Sequence, residues 1–292
     1  MAVDPRAVPD TPPLVHVAAD PVADRALRDR ADALAKALGL PAVHYPPADA
    51  DGQLVVTPER LELRWGPLPG EDHHRTHPVY VDLLAVDTQS GPGRSLRQPL
   101  AVAVGLTRQR RGRSATPATD SGDGDGSPRG PLHVLDATGG LGEDAWLLAG
   151  LGCRVEVCER NPVVAALLAD GLRRAAAEQP DTAGRVTVTP TDARTRLRAL
   201  PQSGQRPDVV YLDPMFPPRR GGAAERRPMR VLRRLVGTDG DASDLLAVAL
   251  TVARRRVVVK RPRLADPLVS DRAPDLTPSG KALRYDVYLT AR

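Results

Sequence analysis

Four short β-branched runs in this chain end in, or run into, carboxylates set beside turn-forming or helix-starting residues. The most specific of these ends is Asp213-Pro214-Met215-Phe216-Pro217-Pro218, which closes the run DVVYL. It gathers a carboxylate, a backbone carbonyl freed by proline geometry, and a flat ring. An exocyclic amine on a purine or pyrimidine needs such a set: acceptors for its two N–H groups and a surface for the base. The amine lone pair is delocalised into the ring, so positioning and stabilisation of developing positive charge supply most of the catalysis. Asp213, Pro214 and Phe216 are the candidate catalytic residues. The alternative is a proline-rich turn around a core phenylalanine, and Phe216 is the one phenylalanine in the chain.

The run LHVL ends at Asp136 and leads into ATGGLGEDAW, where Gly140 and Gly142 allow a sharp turn and Glu143 and Asp144 open a helix. The segment Gly140 to Ala145 satisfies the dinucleotide fingerprint GxGxxG/A, so a nucleotide-dependent oxidoreductase is one alternative. A pyrophosphate, however, wants the free positive end of a helix, and this loop already carries Asp136, Glu143 and Asp144. Three carboxylates suit a cationic ligand such as S-adenosylmethionine (SAM), which has a sulfonium and an ammonium group. The next run ends in Glu159-Arg160-Asn161-Pro162. Glu159 there suits the two hydroxyls of a ribose, with a plain helix cap as the alternative, and Arg160 suits an adenine face. Asp192-Ala193 follows the third run, where Asp192 suits the adenine amino group or an N-cap.

These sites need a frame. LHVLD, RVEVCE, RVTVTP, DVVYLD and RRVVVKR alternate with helical stretches, the pattern of a parallel sheet covered on both faces, and RYDVYLT adds an alternating edge strand. The expected fold is α/β, a doubly wound, Rossmann-like sheet over 131–292. A smaller α+β domain over 14–107 precedes it, with strand LVHVA, a helix from Pro21 to Leu38, strands in LVVTPERLELRW and PVYVDLLA, and a helix in SLRQPLAVAVGL. Residues 1–13 read as a disordered leader and 108–130 as a flexible linker, from their Pro, Gly, Ser and Asp content.

Composition narrows the classes. The chain has 292 residues, a net charge of +5 and 3% aromatic residues. That excludes a highly charged disordered chain and disfavours a platform that reads RNA by serial stacking. No apolar run reaches the roughly 20 residues of a membrane span, and the start lacks a signal peptide's apolar core, so the expected location is the cytoplasm. Cys153 and Cys158, at odd spacing along a strand, are expected as separate core residues. His73, His74 and His77 lie in a Pro/Gly-rich loop, and no metal is expected. Arginine clusters in RRGGAAERRPMRVLRR, and Arg219, Arg220, Arg226, Arg227 and Arg230, with Lys260 and Arg261 from the fifth run, are the candidate RNA-phosphate contacts. A solvated charged face is the alternative.

LDATGGLGEDAWLLAGLGCRVEVCERNPVVAALLADGL, VVYLDPMFP, MRVLRRLVG and RRVVVKRP, together with VVTPERLELR nearer the start, resemble the RsmJ (YhiQ) family of bacterial small-subunit ribosomal RNA guanine-N2 methyltransferases. The resemblance covers most of residues 54–292. It implies a class I enzyme using SAM on one guanosine near the 3′ end of 16S rRNA, with Glu143, Asp144, Glu159, Arg160, Asp192, Ala193 and Asp213 at or bordering the cofactor. The family usually has a basic residue where Glu143 stands and a small hydroxyl residue where Asp192 stands. A non-catalytic RNA-binding factor of the same fold is the second alternative.

Overall fold

A computed structural model describes residues 13–43, 51–68, 77–106, 130–215, 226–237, 240–269 and 271–290. The expected leader and linker fall almost wholly outside these residues, as do Phe216, Arg219, Arg220, His73 and His74.

In chain order the elements are β1 (Val15–Ala19), α1 (Arg25–Leu38), β2 (Gly52–Val56), β3 (Leu61–Trp65), α2 (Pro99–Val104), β4 (His133–Asp136), α3 (Glu143–Gly150), β5 (Arg154–Cys158), α4 (Pro162–Glu178), α5 (Pro180–Ala183), β6 (Val186–Thr189), α6 (Ala193–Ser203), β7 (Val209–Leu212), α7 (Arg227–Val236), α8 (Ala242–Val252), β8 (Arg256–Pro262) and β9 (Leu283–Leu289). They form two compact units that are not continuous in sequence. One holds 1–83, 161–178 and 215–239, and the other holds 84–160, 179–214 and 240–292. Both cross the boundaries read from composition.

The first unit has a three-stranded sheet in the order β1-β2-β3, parallel and then antiparallel. Helix α1 begins at Arg25 rather than Pro21. Asp20 first turns the chain by accepting the Val22 N–H at 3.1 Å, and Asp24 then caps the helix by accepting the Leu27 N–H at 2.8 Å. The strand expected in PVYVDLLA is reduced to one bridge between Val79 and Leu63, followed by a single 3-10 turn at Leu83–Ala85. Pro78 has no N–H to extend the pairing, and the Val81 carbonyl accepts from Arg174 on α4 instead of from a strand.

Helix α4 is fastened to this unit by Asp170, which accepts the Leu61 N–H at 3.0 Å and the Arg174 guanidinium at 2.9 Å. Beside it, Gly171 leaves no room for a side chain, because a Cβ there would overlap the Val81 side chain. Gly171→Val is therefore expected to lose about 1–3 kcal/mol of stability through overpacking. A thermal melt with unchanged midpoint would show that Val81 yields freely.

The second unit is a six-stranded sheet in the order β6-β5-β4-β7-β8-β9, with every neighbouring pair parallel except the last. This is the doubly wound arrangement expected from the alternating runs. The strand order reverses between β4 and β7, which is where an open α/β sheet binds its ligand, beyond the carboxyl ends of the strands. On one face, Leu135, Val210, Leu212, Val257 and Val259 pack with Leu197 and Leu200 of α6 and with Leu245, Leu246 and Ala249 of α8. On the other face of β8, the buried Arg256 donates to the Ala103 carbonyl at the end of α2, 2.9 Å away. Cys153 and Cys158 are free and buried, and burial pushes both thiols up to about 12.

Candidate active site

The carboxyl ends of β4, β5, β7 and β8 bring most of the expected acids together in the second unit. Asp136 closes β4 and is 2% exposed. Burial, followed by the neighbouring charges of Asp144 and Asp213, raises its carboxyl to about 7, against the opposing hydrogen bond from the Thr138 N–H. A carboxyl raised in this way binds its proton more tightly folded than unfolded. Its contribution to stability is complete below about pH 4 and is lost as pH rises toward about 7. Asp136→Asn should therefore stabilise the fold at pH 8 relative to pH 5, by an amount on the order of a few kcal/mol. Urea unfolding of both proteins at the two pH values checks this, and an equal difference at each pH would contradict it.

The loop after β4 is shaped by close approach. A Cβ on Gly139 would lie 2.6 Å from Val157 Cγ1 and 3.1 Å from the Cys158 carbonyl oxygen, so the backbone can pass the end of β5 only as glycine. One residue on, the Gly140 N–H donates to Glu159 Oε2 at 2.8 Å, and Glu159 is 7% exposed. Glu159 is thus held against the glycine loop across neighbouring strand ends. Helix α3 starts from Gly142, which offers no side-chain cap, and carries Glu143 and Asp144 in its first turn.

Asp144 is the anchor of a charged cluster. Its Oδ2 accepts from the Tyr211 hydroxyl at 2.5 Å and from Lys260 Nζ at 2.8 Å. Lys260 also donates to Asp213 Oδ2 at 2.8 Å. The Asp213 backbone N–H donates to Thr138 Oγ1 at 2.6 Å, which ties the end of β7 to the β4 loop. Burial opposes the Lys260 charge, but Asp213 and Asp144 outweigh it and hold the ammonium above its ordinary range. The adjacent Tyr285, registered against Lys260 across the β8–β9 pair, is pushed up to about 12, chiefly by burial.

Arg160 and Asp192 lie in a second network. Arg160 and Arg194 each donate to Asp241 Oδ2 at 2.9 Å, and Arg194 also meets Asp192 at 2.7 Å. Asp192 caps α6 by accepting the Arg194 N–H. The Arg194 hydrogen bond, working against burial, holds the Asp192 carboxyl at about 2. Ala193, beside it, is buried.

Three residues expected to face RNA are placed elsewhere. Lys260 is turned into the carboxylate cluster, as its ion pairs require. Arg261 is 7% exposed and donates to the Asp266 carbonyl. Arg227 donates to the carbonyls of Trp65 at 2.8 Å and His77 at 3.0 Å, and so fastens α7 to the end of β3. Arg226 is exposed and Arg230 is half-buried. Sequence reasoning passed over Thr138, Tyr211 and Tyr285. Tyr211 lies on β7 two residues before Asp213, which follows the strand's last residue, a spacing that points both side chains the same way.

The donor set fits an adenosyl ligand bearing a cation: a buried acid at the glycine turn, a second at the next strand end, and an acidic rather than open helix N-terminus. That acidic first turn is a poor seat for a pyrophosphate. Among the described residues, no group of three or more His, Cys, Asp or Glu is placed to hold a metal ion, and no helix is long and apolar enough to cross a membrane.

Comparison with known proteins places the chain in a class. Residues 126–290 match the family described as "Putative SAM-dependent methyltransferase". A SAM-dependent methyltransferase from Neisseria gonorrhoeae, known from a crystal structure, is 34% identical with a TM-score of 0.64, over 94% of this chain and 96% of that one. The protein is a SAM-dependent methyltransferase. Proteins named ribosomal RNA small subunit methyltransferase J are similar over nearly the whole length. That of Coxiella burnetii is 42% identical over 89% of this chain and 91% of its own, and that of Thioalkalivibrio sulfidiphilus 43% over 90% and 94%. The chain belongs to the ribosomal RNA small subunit methyltransferase J family.

Proposed function

We propose that the protein methylates the exocyclic N2 of one guanosine in the 16S ribosomal RNA of the small subunit, in the cytoplasm. The observation that carries this reading is Asp213, a carboxylate 40% exposed at the carboxyl end of β7 and held by Lys260. It is supported by the names of the curated relatives, which specify small-subunit ribosomal RNA.

When bound, SAM supplies an electrophilic methyl group, whose transfer to N2 breaks a carbon–sulfur bond and leaves a neutral thioether. Asp213 accepts an N2–H in the base plane, orients the amine, and stabilises the positive charge that develops on it. The N2 proton then passes to solvent or a nearby acceptor. Pro214 offers its backbone carbonyl to the amine, and Phe216, which lies outside the described residues, is the ring proposed to stack on the base. Glu159 holds the ribose hydroxyls, Arg160 and Asp192-Ala193 border the adenine, and Asp136, Gly140, Gly142, Glu143 and Asp144 line the remainder. A paired guanine cannot reach such a pocket, so the base is flipped or already unpaired. Arg219, Arg220, Arg226 and Arg230 are the residues proposed to contact RNA phosphates.

The test is incubation with labelled SAM and small-subunit particles lacking the modification, followed by mapping of the labelled nucleotide. Label on N2 of a single guanosine is expected. Its absence from guanine would overturn the proposal.

A further inference from the structure

Lys260 stands beside Asp213 with their charged atoms 2.8 Å apart, and both belong to the second unit. An ammonium has three N–H donors. Two of those on Lys260 go to Asp144 and Asp213, and its side chain remains 20% exposed. The Tyr211 hydroxyl donates to the same Asp144 oxygen that accepts from Lys260, so the Lys260 head group is held by two protein carboxylates, one of them also fixed by Tyr211. Lys260 and Asp213 thus set one cationic donor directly beside a carboxylate, which carries two acceptor oxygens.

The edge of guanine that bears N2 is the complement of that set: O6 accepts, N1–H donates and N2–H donates. Adenine opposes it, because its amine would face the ammonium and its bare N1 would face the carboxylate. Cytosine likewise presents an amine followed by two acceptors. A buried donor or acceptor left opposite its own kind loses its hydrogen bond and gains a repulsion, and this is how a site rejects the wrong base.

We infer that Lys260 is a specificity-determining residue, its ammonium donating to O6 of the target guanine while Asp213 accepts from N1–H and N2–H. The inference rests on the N2-guanosine reading and adds to it a reason why the amine of guanine, rather than that of adenine or cytosine, reaches the methyl donor. It also moves Lys260 from the phosphate contacts to the base pocket.

The test pairs guanosine with 6-thioguanosine at the target position of otherwise identical small-subunit RNA, since sulfur is a weak acceptor and N1–H and N2 are kept. The full-length protein is compared with Lys260→Met. The wild type should methylate the thio substrate about tenfold more slowly than guanosine, the size of a lost hydrogen bond to a charged donor. Lys260→Met should be slowed on guanosine by a similar factor and show no added cost with sulfur. Calorimetric binding of SAM by the variant reports that its cofactor site remains intact. Two outcomes overturn the inference alone, with methyl still mapped to guanine N2: a wild type indifferent to sulfur, which needs no variant, or an equal sulfur cost in both proteins. Methyl mapped to another atom or base would remove the N2 reading, and the inference with it.

Discussion

Asp213→Ala is expected to lower single-turnover methyl transfer by about 10³-fold, the scale of removing one preorganised group that meets developing charge. The half-exposed position of Asp213 means that little packing is lost, so the melting temperature should hardly move. Lys260 keeps Asp144 as a partner in the variant and is not left as an isolated charge. Asp213→Asn, which retains one acceptor oxygen, should fall between the alanine variant and the wild type. Rate measurements on pre-bound RNA separate the chemical step from RNA affinity. Transfer at the wild-type rate in the alanine variant would remove Asp213 from the mechanism.

Glu159 should dominate cofactor affinity in the same way. Glu159→Ala removes the acceptor proposed for the ribose hydroxyls and strips the Gly140 N–H of its partner. A charged hydrogen bond contributes about 1.5–3 kcal/mol, so SAM affinity should weaken about 10²-fold. Glu159→Gln keeps an oxygen for the Gly140 N–H and should lose only about tenfold, which isolates the ligand's share from the loop's. Calorimetric titration of the three proteins provides the comparison. Equal affinities would place the ribose elsewhere.

Much of this was legible in the residues. The β-branched runs located every strand of the larger sheet, and with them the positions of Asp136, Glu159 and Asp213 at the carboxyl ends of those strands. What failed was direction. Lys260 and Arg227 were counted as basic charge available to RNA, yet each points inward for a reason that composition does not carry. Lys260 shares its face of β8 with Arg256 and Val258, so the period of two could have turned it toward Asp144. Arg227 offered no such signal, because its partners, the Trp65 and His77 carbonyls, lie about 150 residues away in the chain. The membership of α4 and α7 in the first unit was hidden for the same reason: contacts distant in sequence leave no local pattern.

That interleaving bears on how the protein can be dissected. The family match begins at residue 126, which invites expression of 126–290 as a minimal enzyme. Such a fragment would keep α4 and α7 but discard β1, β2 and β3. Asp170 and Arg174 would lose Leu61 and Val81, and Arg227 would lose Trp65 and His77. Helix α7, with its buried Val231, Leu232 and Leu235, would be left without the larger part of the unit it belongs to. The front sheet is therefore not a detachable accessory. A genetic cut at residue 126 takes chain from both units at once, and the smallest heritable module of this enzyme extends well beyond the segment that carries its methyltransferase signature.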